Sequence, residues 1–181
     1  MTFSEMFAEV NGLHHKGFQR WLFADGMAYL AARQWWGRRE MRVNPHEGID
    51  FCLYETNGGG QGELLAGALV PAAQDGEVVR IHDDFLGKTV WLKHGEPDVT
   101  GKILHTVYGH IAPNRTLAVG DQVVAGEIIG VVAEPSLAGK KIAPHLHLTA
   151  IKIIASLDGN SLHWSLVHDP ARAELLSPLF L

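Results

Sequence analysis

The 181-residue sequence holds a single cysteine, Cys52. No intrachain disulfide can form, and no multi-cysteine zinc or iron–sulfur site exists. A metal bound by this chain must be held by histidine and carboxylate. Long apolar runs are missing too. The most hydrophobic early stretch, 21–32, carries Asp25 and is flanked by Arg20 and Arg33, far from the ~20 apolar residues that span a bilayer. Positive charge is scarce: the formal net charge is −5 with Lys and Arg dispersed, so no basic stripe suggests nucleic acid. The first residues lack a signal-peptide pattern, because Glu5 and Glu9 stand where positive charge is expected and no long apolar core follows. The expectation is either a cytoplasmic protein or one whose export signal lies outside this sequence. Internal repeats and low-complexity linkers are absent.

What remains is a globular composition, rich in aliphatics and glycine with a modest charged fraction. The length fits one domain with a short extension, divided here as a helical N-terminal extension over 1–40 and a β-rich domain over 41–181. Phe3, Met6, Phe7 and Val10 recur at helical spacing until Asn11-Gly12. Residues 18–36 are read as a second helix, since Ala28, Leu30, Ala31 and Ala32 outweigh Gly26. After Gly37, β-branched residues and alternation dominate to about Ile154. Stretches 88–94 and 103–110 are predicted to form an antiparallel hairpin through a loop at 95–101. Further turns are expected at Asp75-Gly76, Gly120-Asp121 and Ala125-Gly126. The glycine-rich run 57–62 is read as a flexible surface loop, and the tail 156–181, with Trp164 and Leu166, as packing back on the sheet. The fold expected is mainly β, with antiparallel strands in two sheets or a partly open barrel and helices added at the N-terminus. Trp91, Leu92, Leu146 and Leu148 should lie in its core, and Phe51 should point away from Asp50.

Two segments carry candidate chemistry. In Pro144-His145-Leu146-His147-Leu148 the strand alternation sends His145 and His147 to one face and the two leucines to the other. Residues two apart on a strand are roughly 6.5–7 Å apart, so one imidazole can bind a metal while the other sits beside its water. Spacing does not say which is which, and a His-x-His pair taken alone is more often simply solvent-facing. In Asn44-Pro45-His46-Glu47-Gly48-Ile49-Asp50-Phe51, Pro45 and Gly48 oppose a helix, so His46 and Asp50 meet only if a loop leads into a strand. By itself this segment reads equally as a polar turn. Together, two imidazoles and one carboxylate make a three-ligand set with a fourth position open to water, as catalytic zinc requires.

These segments, together with Val107-Tyr108-Gly109-His110-Ile111, resemble the M23 peptidases, zinc metallopeptidases of the lysostaphin and LytM type. Residues 70–79 and 119–130 are similar to that family's structural signatures; coverage runs from about 44 to 148, with a weaker echo at His168-Asp169-Pro170. The resemblance implies that His46, Asp50 and His147 bind Zn²⁺. His145 would then be the general base, and His110 would stabilise the oxyanion or assist proton transfer. It also implies a peptide substrate, peptidoglycan cross-links above all, and a periplasmic or extracellular setting. Two departures stand out. Leu148-Thr149 replaces the aromatic and acidic residues that often follow the last ligand, and Gly139-Lys140-Lys141-Ile142-Ala143-Pro144 replaces a small polar turn at the cleft wall.

The other histidines, His82, His94, His105, His163, His168 and the pair His14-His15, are read as structural or surface residues. Asn11 or His14 is considered as a residue plugging the metal site from the N-terminal segment. Cys52 is read as a small buried residue on the strand that carries Asp50. Two other functions compete. One is a metal-free binding or regulatory module of the cell-wall machinery, against which the intact ligand set argues. The other is a swinging-arm carrier, suggested by 119–132 but lacking the lysine at a hairpin tip.

Overall fold

Stretches 88–94 and 102–113 are rich in β-branched and aromatic residues, and two strands form there, so that one set of side chains enters each face of a sheet. The computed structural model describes residues 1–135 and 142–181. In chain order it contains helix α1 (Phe3–Val10) and strands β1 (Phe18–Leu22), β2 (Ile49–Phe51), β3 (Leu53–Thr56), β4 (Gly60–Glu63), β5 (Leu69–Pro71), β6 (Gly76–Asp83), β7 (Lys88–His94), β8 (Lys102–Pro113), β9 (Gln122–Val123), β10 (Ile128–Val132), β11 (Leu146–Ile154) and β12 (Ala173–Leu176). The main antiparallel sheet runs β12-β11-β8-β7-β6-β9, with β2 beside β11 and β10 joining β8 to β5. A second sheet has the order β1-β3-β4. The mainly β, antiparallel expectation holds, as two sheets that do not close into a barrel. The β7–β8 hairpin also forms as read. No helix among the described residues is long and apolar enough to cross a membrane.

The main sheet has two apolar faces. On one, Val90, Leu92, Tyr108, Leu148 and Ala150 join Phe3 and Phe7 of α1, Trp21 of β1 and Phe51 of β2 in the larger core. On the other, Trp91, Val107, Ile151 and Ile153 pack under Leu162, Leu166 and Val167 of the tail, which returns to the sheet as expected. Helix α1 starts with a capping box, in which Thr2 accepts from the Glu5 N–H while the Glu5 carboxylate accepts from the Thr2 N–H. Trp91, Leu92, Leu146 and Leu148 are fully buried, and Phe51 points into the larger core, opposite to Asp50.

Two expectations fail. Residues 18–36 are not a second helix: β1 pairs with β3, and 23–46 form an irregular strap. Gly26 at φ +94° and Leu30 at φ +64° cannot be helical. The stacking of Trp21 on Phe7 and its edge contact with Phe51 draw this segment into the aromatic core, so tertiary pairing overrides an alanine-weighted propensity. The glycine-rich run 57–62 is not simply a loop either, since after a turn it supplies β4, paired with β3. A Cβ on Gly62 would sit 2.3 Å from the Tyr54 ring, so a residue without a side chain is what this strand needs there.

Candidate metal centre

Strand β2 pairs with β11 in a register that sets Asp50 opposite His147, and β11 pairs on its other side with β8, which sets His147 opposite Gly109. The loop 44–48 enters β2 through Gly48, where a Cβ would lie 2.3 Å from the Leu148 carbonyl oxygen and 2.8 Å from His147 Nε2. Only glycine allows this approach. His46, just before it, thereby meets Asp50 and His147, and the three form the cluster of metal-ligand type found among the described residues. His46 Nε2 lies 3.1 Å from His147 Nδ1 and 3.3 Å from Asp50 Oδ1, and His147 Nδ1 is 2.8 Å from that same oxygen. Ligands bound at 2.0–2.1 Å in a tetrahedron are separated by roughly 3.3 Å, so the spacing of the three atoms suits a metal ion of that kind.

The outer ring nitrogens strengthen this. His46 Nδ1 donates to the Ala28 carbonyl at 3.1 Å, and His147 Nε2 lies 2.9 Å from the Thr149 hydroxyl. A carbonyl only accepts, so His46 in its neutral form turns a bare Nε2 inward. All three groups are buried, and converging acceptors in a dry site call for a cation or a proton between them. Burial alone would raise the Asp50 carboxyl, but hydrogen bonds with His147 and His46 outweigh it and hold Asp50 well below the usual carboxylate range. Thr149 thus takes the outer role at a position where the sequence departs from the pattern it resembles.

His145, just before β11, and His110, in β8, complete the group. Their ring centroids are 4.8 Å apart, and His110 lies 5.9 Å from His147. His145 Nδ1 donates to the Ala143 carbonyl at 2.9 Å, which leaves Nε2 as its acceptor. Burial pushes the His145 imidazole down to about 4, against the pull of Asp50, so it is neutral at pH 7. His110 is presented by a β-bulge: between Tyr108 and Ile111 the pairing with β7 slips by one residue, and His110 takes φ +62°, which re-aims its ring. Asp84 holds the bulge by accepting the His110 backbone N–H at 2.9 Å. The Asp84 Oδ1 also lies 3.2 Å from His110 Nδ1, too poorly aligned for a hydrogen bond. Burial would raise Asp84, but the ring and backbone of His110 outweigh it and keep the carboxyl below its ordinary range.

A sequence profile of peptidase family M23 matches residues 44–162, a span that includes all five of these side chains. This chain belongs to peptidase family M23. Among the solved structures to which the M23 chain is similar are the following. One is a mutant catalytic domain of the prophage-encoded M23 protein EnpA from Enterococcus faecalis, with 23% identity over 69% of this chain and 84% of that one and a TM-score of 0.43. Another is lysostaphin, with 21% identity over 78% of this chain and 52% of that one and a TM-score of 0.44. The third is a peptidase M23 from Pseudomonas aeruginosa, with 25% identity over 81% of this chain and 53% of that one and a TM-score of 0.41. The M23 chain therefore spans about half the length of the last two. No curated protein matches it.

Around the five residues of this M23 site is a cleft of about 310 Å³, also lined by Trp36, Arg42, Glu47, Asp84, Phe85 and Trp164. None of Trp36, Arg42, Asp84 and Phe85 belongs to a motif recognised in the sequence, because each arrives from a segment whose spacing carries no signal. Trp164 reaches the site edge-on to His147, with ring centroids 5.2 Å apart. The proposed plugs stay away: Asn11 is bonded to the backbone of Leu69 in both directions and His14 packs on Phe18. Cys52 is buried, its thiol pushed up to about 12 by burial. His94 is a buried structural residue bonded to the Asp75 carbonyl and Thr106. The segment 139–141, expected from the sequence at the cleft wall, lies outside the described residues.

Proposed function

We propose that this M23 chain is a zinc-dependent endopeptidase, acting outside the cytoplasmic membrane on peptide cross-links of peptidoglycan. The observation that carries the reading is the convergence of His46 Nε2, Asp50 Oδ1 and His147 Nδ1 at 2.8–3.3 Å, with two further imidazoles beside them. Zinc held there would supply Lewis acidity and an acidified water. His145 Nε2, with Nδ1 anchored on Ala143, is oriented to accept a proton from water and return it to the leaving amine. His110, held by the Asp84-supported bulge, donates toward the charge that develops on the peptide oxygen. The substrate class follows from the family resemblance.

Purified chain should contain close to one equivalent of zinc, and digestion of isolated peptidoglycan should release peptide fragments detectable by mass analysis. His145→Ala should keep the zinc and reduce turnover by about 10²–10⁴-fold. A chain unable to take up zinc would point instead to a non-hydrolytic binding module, and equal digestion by His145→Ala would refute the assigned base.

A further inference from the structure

The residues matched to the family begin at 44, yet the backbone before that point hydrogen-bonds both of the first two ligands. In the strap 23–46 the Ala28 carbonyl fixes His46 Nδ1, and the Met27 carbonyl accepts the Asp50 N–H at 3.0 Å. Leu30 and Ala31 exchange backbone hydrogen bonds with His46 at 2.9 and 3.0 Å. The decisive contact is a side chain: Trp35 Nε1 donates to Asp50 Oδ2 at 2.6 Å. The same indole stands edge-on to His145, 82° between planes and 5.0 Å between centroids.

We infer that Trp35 is a positioning residue of the metal centre, one that dedicates Asp50 Oδ2 to the indole and leaves Oδ1 as the single ligating oxygen. The inference rests on the functional reading above. Asp50 has two oxygens with opposite surroundings, since Oδ1 faces both ligand imidazoles and Oδ2 faces Trp35. An indole N–H is a donor only, so it can neither ligate nor swap roles. A carboxylate otherwise binds through one oxygen or two; occupying Oδ2 keeps coordination low and the fourth position open to water. Hydrogen bonds to a ligand's free atom also fix its orientation.

The strap is built to hold that indole. Gly26 passes so close to the backbone that carries it that a Cβ there would lie 2.6 Å from the Trp35 backbone nitrogen, at a φ of +94°. Arg42 bonds the carbonyls of Arg33 and Gly26 and lies 4.9 Å over the Trp36 ring. One side chain thus touches both a metal ligand and the proposed base, and a shift of the strap moves the two together.

The test is Trp35→Phe in the full chain, which keeps an aromatic ring at the position and removes the donor. Zinc affinity measured by chelator competition should weaken by about 10–100-fold, while the unfolding midpoint of the metal-free form stays within about 2 °C. Cobalt(II) substituted for zinc should show weaker visible bands in the variant, as Oδ2 enters the coordination shell. Wild-type affinity and wild-type bands in Trp35→Phe would overturn the inference alone; a wild-type chain that binds no zinc would overturn it together with the functional reading. Should Trp35→Phe not fold, the wild-type indole N–H decides by NMR. Slow exchange with solvent and a shift on zinc addition support the inference, and rapid exchange in both states overturns it.

Discussion

Gly48 lies where two strands and two of the candidate ligands converge, and its missing side chain is a condition for all of them. Gly48→Ala would push a methyl into the Leu148 carbonyl and the His147 ring. The expected result is a loss of about 1–3 kcal/mol with zinc affinity reduced in parallel, read by urea unfolding and chelator competition. Unchanged affinity would mean that loop and strand part without cost. A different residue, His105, contributes to behaviour in acid away from the candidate site. It is 5% exposed and burial pushes it down to about 4 from an ordinary 6.5. The folded chain therefore binds fewer protons than the unfolded one between these values. Its contribution is full above about 6.5 and is lost as pH falls toward 4, on the order of 1–2 kcal/mol by pH 5. In chelator-treated protein, His105→Gln should flatten the decline of the unfolding midpoint between pH 7 and 5, and an unchanged slope would exclude this origin.

Single elements show why some of this was legible in sequence. The pairs His46/Asp50 and His145/His147 could be found because each falls within one short segment, and strand alternation then gives the face. Asp84, Trp35 and Trp164 could not be found this way. Asp84 stabilises the turn before β7, accepting the Leu86 and Gly87 N–H groups at 2.8 Å, and meets His110 only because β8 bulges beside it. Residues 18–36 misled because alanine content favours helix whereas the open edge of β3 and the aromatic core favour a strand and a strap. The turn–bulge pair is testable. Asp84→Ala removes the acceptor for the backbone N–H groups of Leu86, Gly87 and His110 together, so it should lower peptidase turnover by about tenfold or more while zinc stoichiometry persists. Full turnover would show that the bulge holds its shape unaided.

On the scale of the molecule, the N-terminal segment is knitted into the rest. Phe3 and Phe7 are fully buried against Phe51, Trp21 and Tyr108, and the Phe3 N–H donates to the Leu181 carbonyl at 2.9 Å, so α1 joins the two ends of the chain. Phe7→Ala should cost about 3–5 kcal/mol in the unfolding of the whole protein as one transition. A separate early transition confined to the N-terminal part would contradict this. The bulge in β8 has a wider meaning on the same scale. Tyr108 and Ile111 both enter the larger core, although three positions apart they would fall on opposite faces of an unbroken strand. The core alone would be served by a shorter β8 of even phase. The strand carries one residue more than packing asks for, and that surplus residue is the histidine turned toward the candidate metal centre.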